Sequence, residues 1–176
     1  MKKRTLLLLQ SLFILFFTVA CIALFFYLFP YRRPNFSFHH TKKIPSHHSQ
    51  IIRHYLNTEY ETASKYLDDP EIIHFYILDP TKEILISYFH MTAFEEDNNE
   101  YYIYYLFTHP FYRKKGYAKK LLQYGLYHCQ YTYYIYKLKA LTSLTNTSSF
   151  KTFSSLGFTT SFADDAIIFK KNLLLP

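Results

Sequence analysis

The most regular pattern in the chain is one amphipathic helix. Ala118, Leu121, Leu122, Gly125, Leu126 and Cys129 recur at helical spacing, with Lys119, Lys120, Gln123 and His128 on the opposite face. Its neighbours narrow the fold. Ahead of it lie three β-rich runs, residues 71–78, 83–94 and 100–108, joined by the turns 79–82 and 95–99. Connections this short make an antiparallel meander. After it come a Tyr-rich strand at 131–143, a short helix at 146–156, and strands at 158–162 and 166–170. Asn146 is a good N-cap for the short helix, and Gly157 suits the left-handed residue that closes it. The step from strand 100–108 through the amphipathic helix to strand 131–143 places one parallel pair in the sheet. One or two short helices are expected across 50–66, stopped by Asp68-Asp69-Pro70. The expected class is α+β, with a mixed, mostly antiparallel sheet flanked by helices.

Composition agrees. At 49% hydrophobic and 21% aromatic, with 19 Tyr and 18 Phe, the chain is too apolar to be disordered and leans toward sheet. The formal net charge of +7 suits an anionic partner. Nucleic acid is not expected, because the basic residues flank an apolar run and fill one short loop instead of lining one element. Two cysteines, Cys21 and Cys129, imply no disulfide framework.

Residues 5–29 carry no charge and are mostly Leu, Phe, Ile, Val and Ala, long enough to cross a bilayer as a helix. Lys2, Lys3 and Arg4 precede the run, and Tyr27 and Tyr31 sit where interfacial aromatics belong. Thr18-Val19-Ala20-Cys21 faintly resembles a lipoprotein cleavage box, but the apolar run continues through Phe29. The expectation is an uncleaved transmembrane anchor at 1–30, a single-pass membrane protein with lipid as a partner along 5–29. Residues 31–48 read as a linker, and 49–176 as the folded domain. His39, His40, His47 and His48 fall in that linker without Cys or carboxylate partners nearby, so no metal centre is expected.

The loop before the amphipathic helix is the chemical feature. Phe107-Thr108-His109-Pro110-Phe111-Tyr112-Arg113-Lys114-Lys115-Gly116-Tyr117-Ala118 runs from a strand into a helix N-terminus. Helix starts have main-chain N–H groups without intrahelical partners, and the peptide dipoles add partial positive charge there. Gly116 lets a diphosphate approach the backbone closely, and Arg113, Lys114 and Lys115 add formal charge.

Arg113-Lys114-Lys115-Gly116-Tyr117-Ala118 resembles the Arg/Gln-x-x-Gly-x-Gly/Ala motif of the GCN5-related N-acetyltransferases. Residues 146–158 resemble that family's Asn-x-x-Ala-x-x-x-Tyr-x-x-x-Gly-Phe, with Ser149 in the Ala position. Both motifs stand in the family's order, and the likeness covers about residues 50–172. It implies an acyl-CoA N-acyltransferase-like fold with acetyl-CoA as co-substrate and an amine as acceptor. It also implies a domain that faces the cytosol. Main-chain groups near Phe107 and Thr108 would hold the acetyl and pantetheine arm, Arg113, Lys114, Lys115, Gly116, Tyr117 and Ala118 the pyrophosphate, and Asn146 the arm from the other side. Strands 100–108 and 131–143 would splay apart around it.

The sequence departs from the family in three places. Phe153 stands where the family carries a proton-donating Tyr, with Ser154 or Ser155 as neighbouring hydroxyls. No carboxylate lies in Tyr101–Thr108, which leaves Glu95, Glu100 and His90 as the candidate bases. The family's first strand has only Phe36–Phe38 as a poor stand-in. Three functions are weighed: a membrane-anchored N-acetyltransferase moving acetyl from acetyl-CoA to an amine, a catalytically inactive module of that fold binding CoA, acyl-CoA or a protein partner, and a structural membrane protein whose aromatic sheet packs against other proteins.

Overall fold

The computed structural model describes Thr18 and residues 36–60, 63–79, 81–94 and 97–174. Seven strands, β1 (Ser37–Thr41), β2 (Ile73–Asp79), β3 (Ile84–Phe94), β4 (Asp97–Thr108), β5 (Lys137–Ser143), β6 (Thr159–Phe162) and β7 (Ala166–Asn172), form one sheet in the order β1-β2-β3-β4-β5-β7-β6. Every neighbouring pair is antiparallel except β4 and β5, as the crossover requires. The α+β class with a mixed sheet is therefore the observed one.

Three helices cover the sheet: α1 (Ser46–Glu59), α2 (Tyr117–His128) and α3 (Thr147–Ser154). Strand side chains alternate between faces. Tyr76 and Tyr88 meet Ile52 and Leu56 of α1 on one face. Phe75 and Phe89 meet Leu121 and Leu122 of α2 on the other, with Phe153 of α3 in the same core. The amphipathic stripe read from the sequence is thus the buried face of α2.

α2 comes very close to the sheet at Gly125. A Cβ at that position would lie 2.5 Å from Phe89 Cζ. Phe89 cannot easily yield, because its ring is stacked on Phe75 at 4.8 Å. Gly125→Ala gains about 1 kcal/mol of helix propensity, but overpacking costs about 1–3 kcal/mol or more. We expect net destabilisation in urea unfolding, and a smaller loss when the same change is made in a Phe89→Leu background. Equal losses in both backgrounds would refute the close contact.

Three expectations need correction. Residues 37–41, placed in the linker 31–48, are strand β1, paired from Ser37↔Leu78 to Thr41↔His74. α1 likewise starts inside that linker, at Ser46. In the run 131–136, expected as strand, residues 131–133 instead prolong α2 in a wider helical turn, Cys129–Tyr133. Tyr134 then turns left-handed at φ 56°, and Ile135 N donates to Cys129 O. The β-preference of successive tyrosines is a surface-packing preference, and here the need to end the crossover overrides it. Third, no helix among the described residues is long and apolar enough to cross a membrane. The run 5–29 lies, apart from Thr18, outside the described residues. The localisation as a single-pass membrane protein does not stand, and the lipid partner along 5–29 finds no support among the described residues.

Candidate functional site

The parallel ladder between β4 and β5 is short. It runs only from Glu100↔Lys137 to Ile103↔Ala140. Beyond it β4 stays with β3, through Tyr88↔Phe107 and Ser87↔Thr108, while β5 stays with β7 as far as Ser143↔Ala166. The two strands diverge just where β4 carries a bulge. Tyr105 and Leu106 together oppose Phe89, and Tyr105 sits at φ 52°. His109 N donates to Ile86 O at 2.9 Å, so the alternation turns the Thr108 main chain away from β3 and toward the gap.

The gap opens into a cleft of about 620 Å³ between the end of β4, the start of α2 and the side of α3. Gly116 is the N-cap of α2 at φ 80°, a conformation open to glycine at no steric cost. A Cβ built there meets nothing within 4 Å, so the space in front of the helix end is open. Lys120 N donates to Gly116 O at 3.0 Å, and the turn before it points its amides out of the helix end. Lys114, Lys119 and Lys151 line the cleft, and none has a carboxylate within ion-pair distance among the described residues. Arg113 is held in place: its Nε donates to Thr108 O at 2.9 Å, and its guanidinium pairs with Glu59 at 3.0 Å. Asn146 Oδ1 accepts from Ser149 N at 3.0 Å and so fixes the start of α3 on the far wall.

Phe107, Thr108, Arg113, Lys114, Gly116, Tyr117, Ala118 and Asn146 all line this cleft. Lys115 does not; its Nζ lies 5.5 Å over the Tyr112 ring. The proton-transfer candidates are not gathered there. Glu95 lies outside the described residues. Glu100 stands at the far end of the β4–β5 ladder, 3.8 Å from Lys139 Nζ. Eight residues of strand, about 26 Å, separate it from Thr108. Ser154 is exposed and outside the cleft, whereas Ser155 lines it.

His90 is buried on the α1 face. Its Nδ1 is 3.2 Å from the Tyr88 hydroxyl, which is also 2.9 Å from His74 Nδ1. The phenol donates to one imidazole and accepts from the other. His74 Nε2 is buried without a partner. A bare acceptor is tolerated better there than a bare N–H. His74 therefore donates from Nδ1, and Tyr88 donates to His90 Nδ1. Burial, and then His74, lowers the His90 pKa to about 3. With its lone pair engaged and its basicity this low, the ring suits a structural role better than that of a base.

Sequence reasoning missed Tyr60, Leu106 and Tyr112 on one side of the cleft and Lys119, Lys151 and Thr152 on the other. Lys151 lies within the second motif and Lys119 on the first turn of α2, so helical spacing could have found both. Tyr60 carries no local signal. Its hydroxyl donates to Leu106 O at 3.4 Å, across 46 residues of sequence.

Residues 35–158 match the sequence profile of the acetyltransferase (GNAT) family. The chain belongs to this family. No curated protein sequence matches it. Solved structures of the same fold do. The ribosomal-protein-alanine N-acetyltransferase of Escherichia coli superimposes with a TM-score of 0.62 at 13% identity, covering 80% of this chain and 96% of that one. The spermidine N-acetyltransferase of Vibrio cholerae gives 0.60 at 13% identity, over 78% and 93%. The PaiA N-acetyltransferase of Thermoplasma acidophilum, solved with coenzyme A, gives 0.58 at 15% identity, over 78% and 99%. At these identities the likeness speaks for the fold alone. The co-substrate of the GNAT family is acetyl-CoA, and the cleft has the features such a molecule needs: an open helix N-terminus, lysines without an ion-pair partner among the described residues, and a stretch of β4 past Ile103 that β5 does not pair.

Proposed function

We propose that this GNAT protein transfers an acetyl group from acetyl-CoA to an amine of a protein, peptide or small molecule. The observation that carries this reading is the divergence of β4 from β5 directly in front of the N-terminus of α2. The diphosphate would lie on the first turn of α2, with Gly116 giving close approach and Lys114 and Lys119 supplying charge. The pantetheine arm would run along Thr108, with α3 and its Asn146 cap as the opposite wall.

Bound in this way, acetyl-CoA supplies an acyl carbon for attack by the amine and a thiol as the leaving group. The chain's role is mainly to position the reactants, which can account for much of such a rate. Arg113 ties Thr108 to Glu59 and so holds the mouth of the cleft at one width. The Tyr60 phenol, raised above its ordinary pKa by burial and then by Glu59, stays protonated beside Leu106. Thr152 and Ser155 bring hydroxyls to the wall where Phe153 brings none. No carboxylate lines the cleft among the described residues, so water at the open mouth takes the proton from the amine nitrogen and returns one to the departing thiolate.

Two measurements test the reading. CoA or acetyl-CoA at a hundred times its Kd should add about 2.7 kcal/mol to the stability of the folded protein, visible as a melting temperature higher by several degrees. Free thiol should then appear when acetyl-CoA is mixed with an amine panel. No thermal shift overturns the reading. A shift without thiol release from any amine leaves a CoA-binding module that does not transfer.

Gly116→Ala probes the carrying observation. The added methyl enters open space, so it clashes with nothing in the free protein. The left-handed φ costs about 1 kcal/mol. We expect a melting temperature lower by a few degrees and CoA affinity weakened about tenfold or more. Unchanged CoA affinity would exclude Gly116 from the diphosphate site.

A further inference from the structure

The β4 bulge does more than open the sheet. It interrupts side-chain alternation, so the consecutive residues Tyr104 and Tyr105 both reach the α1 face, with ring centroids 5.7 and 5.2 Å from His90. Tyr66, from the 3-10 turn Ala63–Asp68, approaches the same imidazole at 5.5 Å and Tyr105 at 6.0 Å. Tyr60 closes the group, 5.1 Å from Tyr105. The result is a cup of four tyrosines around a buried histidine. Tyr66 and Tyr104 keep 39% and 40% of their surface open to solvent.

The cup is continuous with the cleft. Tyr60 belongs to both, and its hydroxyl is bonded to Leu106, which also lines the cleft. Whatever rests on the rings therefore lies beside the stretch of β4 where the acetyl group is proposed to sit. The cup carries no formal charge. Burial, first of all, pushes the Tyr60 and Tyr104 phenols upward, and His90 is neutral. Aromatic faces attract cations, and the same row of rings already holds one. Lys139 Nζ lies 4.8 Å over Tyr102, which stacks on Tyr104 at 5.8 Å.

We infer that this tyrosine cup is the acceptor subsite and that it takes an alkylammonium group, held over the ring faces of Tyr104 and Tyr66 instead of by carboxylates. The inference rests on the proposed transfer to an amine and narrows the acceptor to a primary alkylamine that enters as its cation. Polycationic acceptors, whose further charges need carboxylate partners, fit it less well.

The test is a binding measurement on the full chain saturated with CoA. Choline is the probe, because it is a cation that cannot be acetylated on nitrogen, and dimethylbutanol is its uncharged carbon analogue. Choline should bind about tenfold more tightly than dimethylbutanol. The double variant Tyr66→Leu, Tyr104→Leu should lose that preference while keeping wild-type CoA affinity. Choline should also compete with a primary alkylamine in thiol release. Equal binding of the two probes, or a preference that survives in the double variant, overturns the subsite. Normal CoA affinity and thiol release alongside that result would leave the acetyltransferase reading intact, so the two failures are distinguishable.

Discussion

Thermal stability should fall steeply as the pH drops below about 6.5, and most of the fall should trace to two histidines. Burial lowers His74 from 6.5 to about 4, opposed by Asp69 and Asp68, and burial followed by His74 lowers His90 from 6.5 to about 3. Both groups have depressed folded-state values. Above 6.5 neither the folded nor the unfolded form holds these protons, and the full stability is present. Between 6.5 and the folded values only the unfolded chain binds them, so stability drains away, and below about 3 the loss levels off. A tenfold difference in proton affinity between folded and unfolded chain corresponds to about 1.4 kcal/mol. The pair therefore commands several kcal/mol, a large share of the roughly 5–15 kcal/mol that holds a domain together. Burial also lowers His39, His40, His48 and His128, which reinforces the trend. The check is melting temperature against pH for wild type and for His74→Gln with His90→Gln. The wild-type curve should be distinctly steeper between pH 6.5 and 4.5. Parallel curves would mean the two imidazoles are not the titrating groups.

Phe153→Ala should cost about 3–5 kcal/mol, the range for a fully buried phenyl ring. Phe153 is 3% exposed, stacks on Phe169 at 4.8 Å and meets Phe158 edge-on at 5.0 Å. Its ring belongs to the core and does not line the cleft. This residue occupies the position where the resembled motif places a catalytic Tyr, so the outcome separates two roles. A core role predicts a large drop in the urea midpoint and, for the milder Phe153→Leu, CoA affinity within about twofold of wild type. A loss below about 1 kcal/mol, or weakened CoA binding in the leucine variant, would show that the ring serves the cleft instead.

Several elements of this architecture are written locally. α2 could be read because its buried stripe, its Gly116 start and its basic loop lie within a few turns of each other. The Asn146 cap and the Gly157 closure at φ 74° were legible for the same reason. β1 was not legible. Its residues, Ser-Phe-His-His-Thr, have neither strong β-preference nor apolar alternation. They are held by partners far along the chain: His39 stacks on Tyr76 at 4.9 Å, and His40 on His128 at 3.7 Å.

The amino-acid sequence alone determined the order of strands and helices after residue 70, the place of the crossover, and the loop where an anion would rest. Caps, periodicities and charge runs act over a few residues, and every copy of such a segment carries them. Only the tertiary structure decided that β4 leaves β5 after Ile103, that the bulge turns Tyr104 and Tyr105 to one side, and that Tyr60 and Tyr66 come to meet them. Those outcomes follow from packing energies shared among residues about forty positions apart, and no local window of sequence contains them.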